Sequence, residues 1–159
     1  MTETDSVQTD SEVGELTIVR IQEGPIQLVW ELMTTPEHLT HFWGPTGTST
    51  PLDGIVMDLR PGGAFETTMV NDSDGETYVM KGTYVEIDPP HKLVWTEADT
   101  DGGMTTTTTY KALGEDRTEV TIHQVNVPVM FLSDEAQAGF RSSLDRSDAY
   151  LASLLEARA

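Results

Sequence analysis

The chain changes its hydrophobic period for the last time at Pro128. From Thr50 to roughly Gln124 it is cut by Gly62-Gly63, Asp74-Gly75, Pro89-Pro90, Gly102-Gly103 and Gly114 into β-type segments of about eight to twelve residues, the spacing of hairpins in a meander. Beyond Pro128 the period becomes helical. Ser133 can cap, Asp134 and Glu135 suit the positive end of the dipole, and Ala136, Phe140, Leu144, Leu151 and Leu155 fall on one stripe. A helix from Ser133 to about Ala157 would be on the order of 36 Å long, enough to cross a whole sheet.

Within the meander the alternation of side chains gives faces. Phe65, Thr67 and Met69 share one, as do Tyr78, Met80, Gly82 and Tyr84, and likewise Leu93, Trp95 and Glu97. Thr105 to Thr109 is a strand, because threonine is a strong strand former and the run ends in Tyr110. Ahead of the meander, Leu16 to Ile21 reads as a first strand closed by Gly24-Pro25. Pro25 then presets a helix carrying Leu28, Val29, Leu32 and Met33, and Thr35-Pro36 opens a second with Leu39, Phe42 and Trp43 on one face and Thr35 as its N-cap. Residues Met1 to Val13 have almost nothing to bury and are expected to be a disordered acidic tail, leaving 14–159 as the folded domain.

These elements define an α+β fold. A curved antiparallel sheet of about six to seven strands is wrapped round a long C-terminal helix, with two short helices after the first strand. A single helix does not fill the concave side of a curled sheet as two packed sheets would, so a gap between them is expected. Met57, Met69, Met80 and Met130 supply adaptable thioethers to its walls, and Trp43, Phe65, Trp95 and Phe140 supply flat surface. Such a lining suits an apolar or aromatic small molecule.

Composition narrows the partners. The 159 residues suit one domain. The absence of cysteine removes disulfides and thiolate chemistry. A net charge of −18, from 27 acidic residues against nine basic ones, repels phosphate backbones, so nucleic acid is not an expected partner. No stretch approaches the roughly 20 apolar residues of a membrane span and the start does not read as a signal, so cytoplasm is the expected location. A homodimer is compatible with all of this.

Several motifs then run in order from about Glu15 to Leu155: Val29-Trp30, Thr35-Pro36-Glu37-His38-Leu39, Phe42-Trp43-Gly44-Pro45, Asp58-Leu59-Arg60-Pro61-Gly62-Gly63, Pro89 to Thr96, Ser143-Leu144-Asp145-Arg146 and Tyr150-Leu151. In these the chain resembles the family named for the activator of the 90-kDa heat-shock protein ATPase homologue, of the START-like, birch-pollen-allergen-like (SRPBCC) superfamily. The resemblance implies a helix-grip fold with a hydrophobic cavity and leaves activity open, since this fold serves carriers, cyclases and resistance proteins. Two positions depart from the family's habit: Phe140 stands where Trp often follows the helix glycine, and Ser147 where Leu often follows Asp-Arg. Ser147 falls on the apolar stripe, its hydroxyl directed at the pocket or bonded back to its own helix.

Little else suggests chemistry. His38 and His41 lie on one helix face beside Glu37 but lack a third ligand, so no metal or cofactor is expected. His91 belongs to a turn, and His123 to the outer face of a late strand. Asp72 to Glu76 resembles a calcium loop but is better read as a hairpin turn. Glu97 is the carboxylate candidate for proton transfer, since burial would raise its pKa. The ligand-binding set is therefore Trp43, Met57, Phe65, Met69, Met80, Tyr84, Trp95, Phe140, Leu144 and Ser147. Three functions compete: binding or sequestration of a hydrophobic or aromatic small molecule, including a carrier or self-resistance role for a secondary metabolite; a polyketide cyclase or aromatase in which Glu97, Tyr84 or Ser147 moves protons; and a chaperone ATPase co-activator. The first is preferred because the pocket is rich in Met and aromatics and poor in catalytic groups.

Overall fold

A computed structural model describes residues 13–97 and 103–158. The expected tail, apart from Val13, and part of the Gly102-Gly103 turn lie outside them. The chain runs β1 (Val13–Gln22), α1 (Ile26–Thr34), α2 (Pro36–Leu39), β2 (Thr48–Ser49), β3 (Val56–Met57), β4 (Ala64–Asn71), β5 (Thr77–Asp88), β6 (Lys92–Glu97), β7 (Met104–Ala112), β8 (Thr118–Pro128) and α3 (Asp134–Arg158), with one 3-10 turn at Leu52–Gly54 and another at Val129–Leu132.

The strands form one open antiparallel sheet in the order β1-β8-β7-β6-β5-β4-β2, with β3 also paired to β4. It has eight strands, against the six to seven read from the sequence. The additions β2 and β3 are two-residue pairings on β4, too short to show a period of two. β1 begins at Val13, paired to Pro128.

Pro25 precedes α1 with φ −64°, the value its ring enforces. Leu28, Val29, Trp30 and Leu32 of α1 are buried, and Trp30 meets Tyr110 of β7 edge to face at 5.6 Å. Helix α2 is a single turn. Thr35 occupies its N-cap position without a side-chain cap bond, and Phe42 and Trp43 come after the helix has ended. Ser133 does cap α3: its Oγ accepts from the Ala136 N–H at 3.1 Å.

Register fixes which side chains share a level on the concave face. Tyr84, Trp95, Thr106, Gln124 and Leu16 form one level across β5, β6, β7, β8 and β1, and Ile87, Leu93, Thr108, Ile122 and Ile18 form the next. On the other side of the Tyr84 level, Phe65 pairs with Gly82 and Glu97 with Met104. A Cβ at Gly82 would lie 3.0 Å from the Thr96 carbonyl oxygen, a tight approach to the backbone of β6.

Candidate functional site

Between the inner face of the sheet and the N-terminal half of α3 lies a cavity of about 490 Å³. Side-chain hydrogen bonds hold α3 beside this space. The clamps are polar. Ser143 Oγ accepts from Gly44 N–H at 3.2 Å and donates to the Phe42 carbonyl at 3.0 Å, while Arg146 Nη1 donates to the carbonyls of Gly44 (2.8 Å) and Pro45 (3.0 Å). Two motifs a hundred residues apart, Phe42-Trp43-Gly44-Pro45 and Ser143-Leu144-Asp145-Arg146, are thus the two halves of one joint. Gly139 faces Pro45 at this joint, where an added Cβ would make ordinary contact at 3.5 Å.

Further along α3, Arg20 Nη1 of β1 lies 2.9 Å from Asp145 and 3.0 Å from Asp148. Gln22 Nε2 donates to Ser147 Oγ at 3.1 Å and to Asp148 at 2.9 Å. Ser147 therefore lines the cavity with its oxygen engaged by β1. His38 Nδ1 is 2.7 Å from Tyr150 Oη, and the His41 ring stacks on Tyr150 at 4.6 Å, so both histidines dock the α2 region onto α3. No cluster of three or more potential metal ligands occurs among the described residues.

The wall brings together Trp43, Met69, Met80, Trp95, Phe140, Leu144, Ser147 and Glu97 from the sequence-derived set. The Trp43 indole is oriented by its Nε1–H donating to Thr67 Oγ1 at 3.0 Å. Three members of the set lie behind the wall. Phe65 and Tyr84 are fully buried and stacked on each other at 5.3 Å, and Met57 packs against the outside of that cluster. Met130, expected in the wall, is 69% exposed on the 3-10 turn before α3.

Other wall residues escaped sequence reasoning: Arg20, Gln22, Met33, Met104, Thr106, Thr108, Tyr110 and Gln124. The alternation Met104, Thr106, Thr108, Tyr110 carried the signal for β7, since all four are buried on one face. Three buried polar atoms, Tyr84 Oη, Trp95 Nε1 and Tyr110 Oη, find no hydrogen-bond partner among the described residues. Burial pushes the pKa of both phenols well above the usual tyrosine value, and for Tyr110 the neighbouring Tyr84 adds to the shift. Both are neutral phenols at ordinary pH and hold their protons too tightly for base chemistry.

An open, curved antiparallel sheet with one long C-terminal helix and short helices after the first strand defines a helix-grip domain. The model of the family "Activator of Hsp90 ATPase homolog 1-like protein" matches residues 23–152, and the chain belongs to that family, within the SRPBCC superfamily. Solved structures repeat the fold. A protein of Chromobacterium violaceum is 24% identical, with 85% of this chain and 95% of that one covered and a TM-score of 0.76. One from Rhodobacter sphaeroides is 19% identical over 89% and 94%, with a TM-score of 0.78. The AHSA1-like protein of Aeromonas hydrophila is 20% identical over 88% and 93%, with a TM-score of 0.75. No functionally curated protein matches the sequence.

Proposed function

We propose that this protein binds an apolar aromatic small molecule in the cavity between α3 and the sheet, as a carrier or sequestering protein. One observation carries the reading: a space of about 490 Å³, inside the roughly 300–1,000 Å³ range of small-molecule sites, whose wall combines Trp43, Trp95 and Phe140 with Met33, Met69, Met80 and Met104. Flat rings and polarizable thioethers favour an aromatic guest over a charged one. Sequestration fits better than turnover because the polar groups of the wall serve the architecture: Arg20, Gln22 and Ser147 tie β1 to α3, and Ser143 ties α3 to the Gly44 loop. Glu97, the only acidic side chain of the described wall, would be the group to change if the guest were also transformed.

The test is native mass spectrometry of the protein purified from its own cells, in the wild type and in a Leu144→Trp variant that fills the cavity. A co-purifying apolar mass in the wild type and its loss from a folded variant is the expected result. An empty wild-type protein whose Trp43 and Trp95 fluorescence ignores naphthalene and larger aromatics would overturn the reading.

A further inference from the structure

The polar groups of the wall are unequal in what they have left to offer. Arg20 is held by two aspartates, Gln22 by Ser147 and Asp148, and Ser143 by the backbone of the Gly44 loop. Glu97 is engaged as well. Trp95 Nε1 and Tyr110 Oη are sealed within the wall. Gln124 differs from all of these. It lines the cavity from the inner face of β8, level with Thr106 on β7 and Trp95 on β6, and is only partly buried.

One hydrogen bond sets its orientation: Gln124 Nε2 donates to Thr106 Oγ1 at 3.1 Å. Thr106 is 1% exposed and sits on a central strand, so this acceptor does not move. A primary amide has two N–H donors and a carbonyl acceptor. With one N–H fixed on Thr106, the amide keeps a carbonyl oxygen and a second N–H for a partner. Leu16 stands opposite it on β1, with Ile122 and Met104 one level away along β8 and β7, and none of these side chains offers a donor or acceptor of comparable strength.

We infer that Gln124 is the specificity-determining residue of the cavity, and that it reads a hydrogen-bond acceptor adjacent to a donor on the edge of a flat aromatic ligand, as in a lactam. The inference rests on the cavity being the ligand site. Trp95, beside Thr106 on the same level, and Trp43, whose ring centre is 6.4 Å from that of Trp95, supply the surface on which the flat body rests. A guest lacking the polar edge would desolvate the Gln124 amide without replacing its hydrogen bonds, and such unpaired polar groups are what let a site reject close isosteres.

The experiment is calorimetric titration of the full chain with three two-ring probes of nearly equal size: naphthalene, which has no polar edge, quinoline, with an acceptor only, and carbostyril, the lactam with acceptor beside donor. The wild type should prefer carbostyril to naphthalene by about tenfold, with quinoline between, and Gln124→Leu should bring the ratio close to one. Gln124→Met provides the same comparison with a more adaptable side chain should the leucine variant not fold. Equal binding of the three probes by the wild type, or a preference that survives both substitutions, overturns the role of Gln124 and leaves the cavity as a ligand site. Failure of all three probes to bind overturns both.

Discussion

Gln22 and Ser147 are 125 positions apart in the chain and 3.1 Å apart in space, donor to acceptor. The pair explains why a hydroxyl is tolerated on the buried stripe of α3: Ser147 Oγ serves β1 instead of the carbonyl one turn back. Ser147→Ala should cost about 1 kcal/mol, the usual net value of one hydrogen bond, because Gln22 keeps Asp148 as an acceptor. Ser147→Leu restores the family's habit at this position and places more volume in the cavity, so it should weaken aromatic ligands more than it changes stability. Urea unfolding beside probe titration separates the two effects; equal losses of stability and binding in both variants would contradict the assignment.

Gly44 holds a φ of +100°, and a Cβ there would fall 2.7 Å from Met69 Sδ and 2.6 Å from Thr48 Oγ1. Its amide and carbonyl are also what α3 grips through Ser143 and Arg146. Gly44→Ala should therefore cost roughly 1–3 kcal/mol, and it should disturb Met69 on the cavity wall. Gly47→Ala, at φ +98° but with nothing within 4 Å, is the control: it carries backbone strain alone. Thermal unfolding of both variants should place Gly44→Ala lower.

The meander and the long helix were legible because their signals are local, a period of two and a period near 3.6. The grip of α3 was partly legible too, since Phe42 to Pro45 and Ser143 to Arg146 stand out as motifs, although nothing local says that they bond each other. Wall membership was harder. Phe65 and Met69 share a face of β4, yet Phe65 is covered by Trp43, Trp95 and Tyr84 while Met69 remains on the wall; depth along a curled strand decides this, not parity. Met130 was misplaced because the four-residue turn Val129–Leu132 separates β8 from α3 and belongs to the period of neither. Thr106 and Gln124 carry little local signal, because an isolated polar residue in a strand does not show which face it takes, although the alternation through β7 points at Thr106.

Tyr84 and Tyr110 should steepen the alkaline loss of stability. Each has a pKa raised above 10.0 in the folded protein, by burial first and for Tyr110 also by Tyr84. Above about pH 10 the unfolded chain loses these protons while the folded one keeps them, so the unfolded state binds fewer and stability falls as pH rises. Their contribution is complete below pH 10. Tyr110→Phe removes a buried hydroxyl that has no partner, so at neutral pH it should be neutral or slightly stabilising and should flatten the alkaline decline. Urea midpoints across the alkaline range test this; a loss of about 2 kcal/mol at neutral pH would show that the hydroxyl has a partner after all.

The net charge of −18 makes a last prediction about ionic strength. Nine basic residues cannot neutralise 27 acidic ones; among the described residues Arg20, Arg60, Lys92 and Arg117 pair with carboxylates, and His123 does so when protonated. Most of these pairs are well exposed and are each worth little. Self-repulsion of the folded surface should therefore outweigh them, and added salt should stabilise the protein as the screening length falls from about 30 Å at 0.01 M to about 3 Å at 1 M. Arg20 tests the argument locally. Arg20→Met removes the charge while keeping much of the apolar stem, leaving Asp145 and Asp148 without its guanidinium while Gln22 still bonds Asp148. The melting temperature of this variant should lie below that of the wild type at low salt, and the gap should narrow as salt is added. A wild-type melting temperature that falls with sodium chloride would mean that attractive pairs, not the excess of carboxylates, govern the electrostatics of the fold.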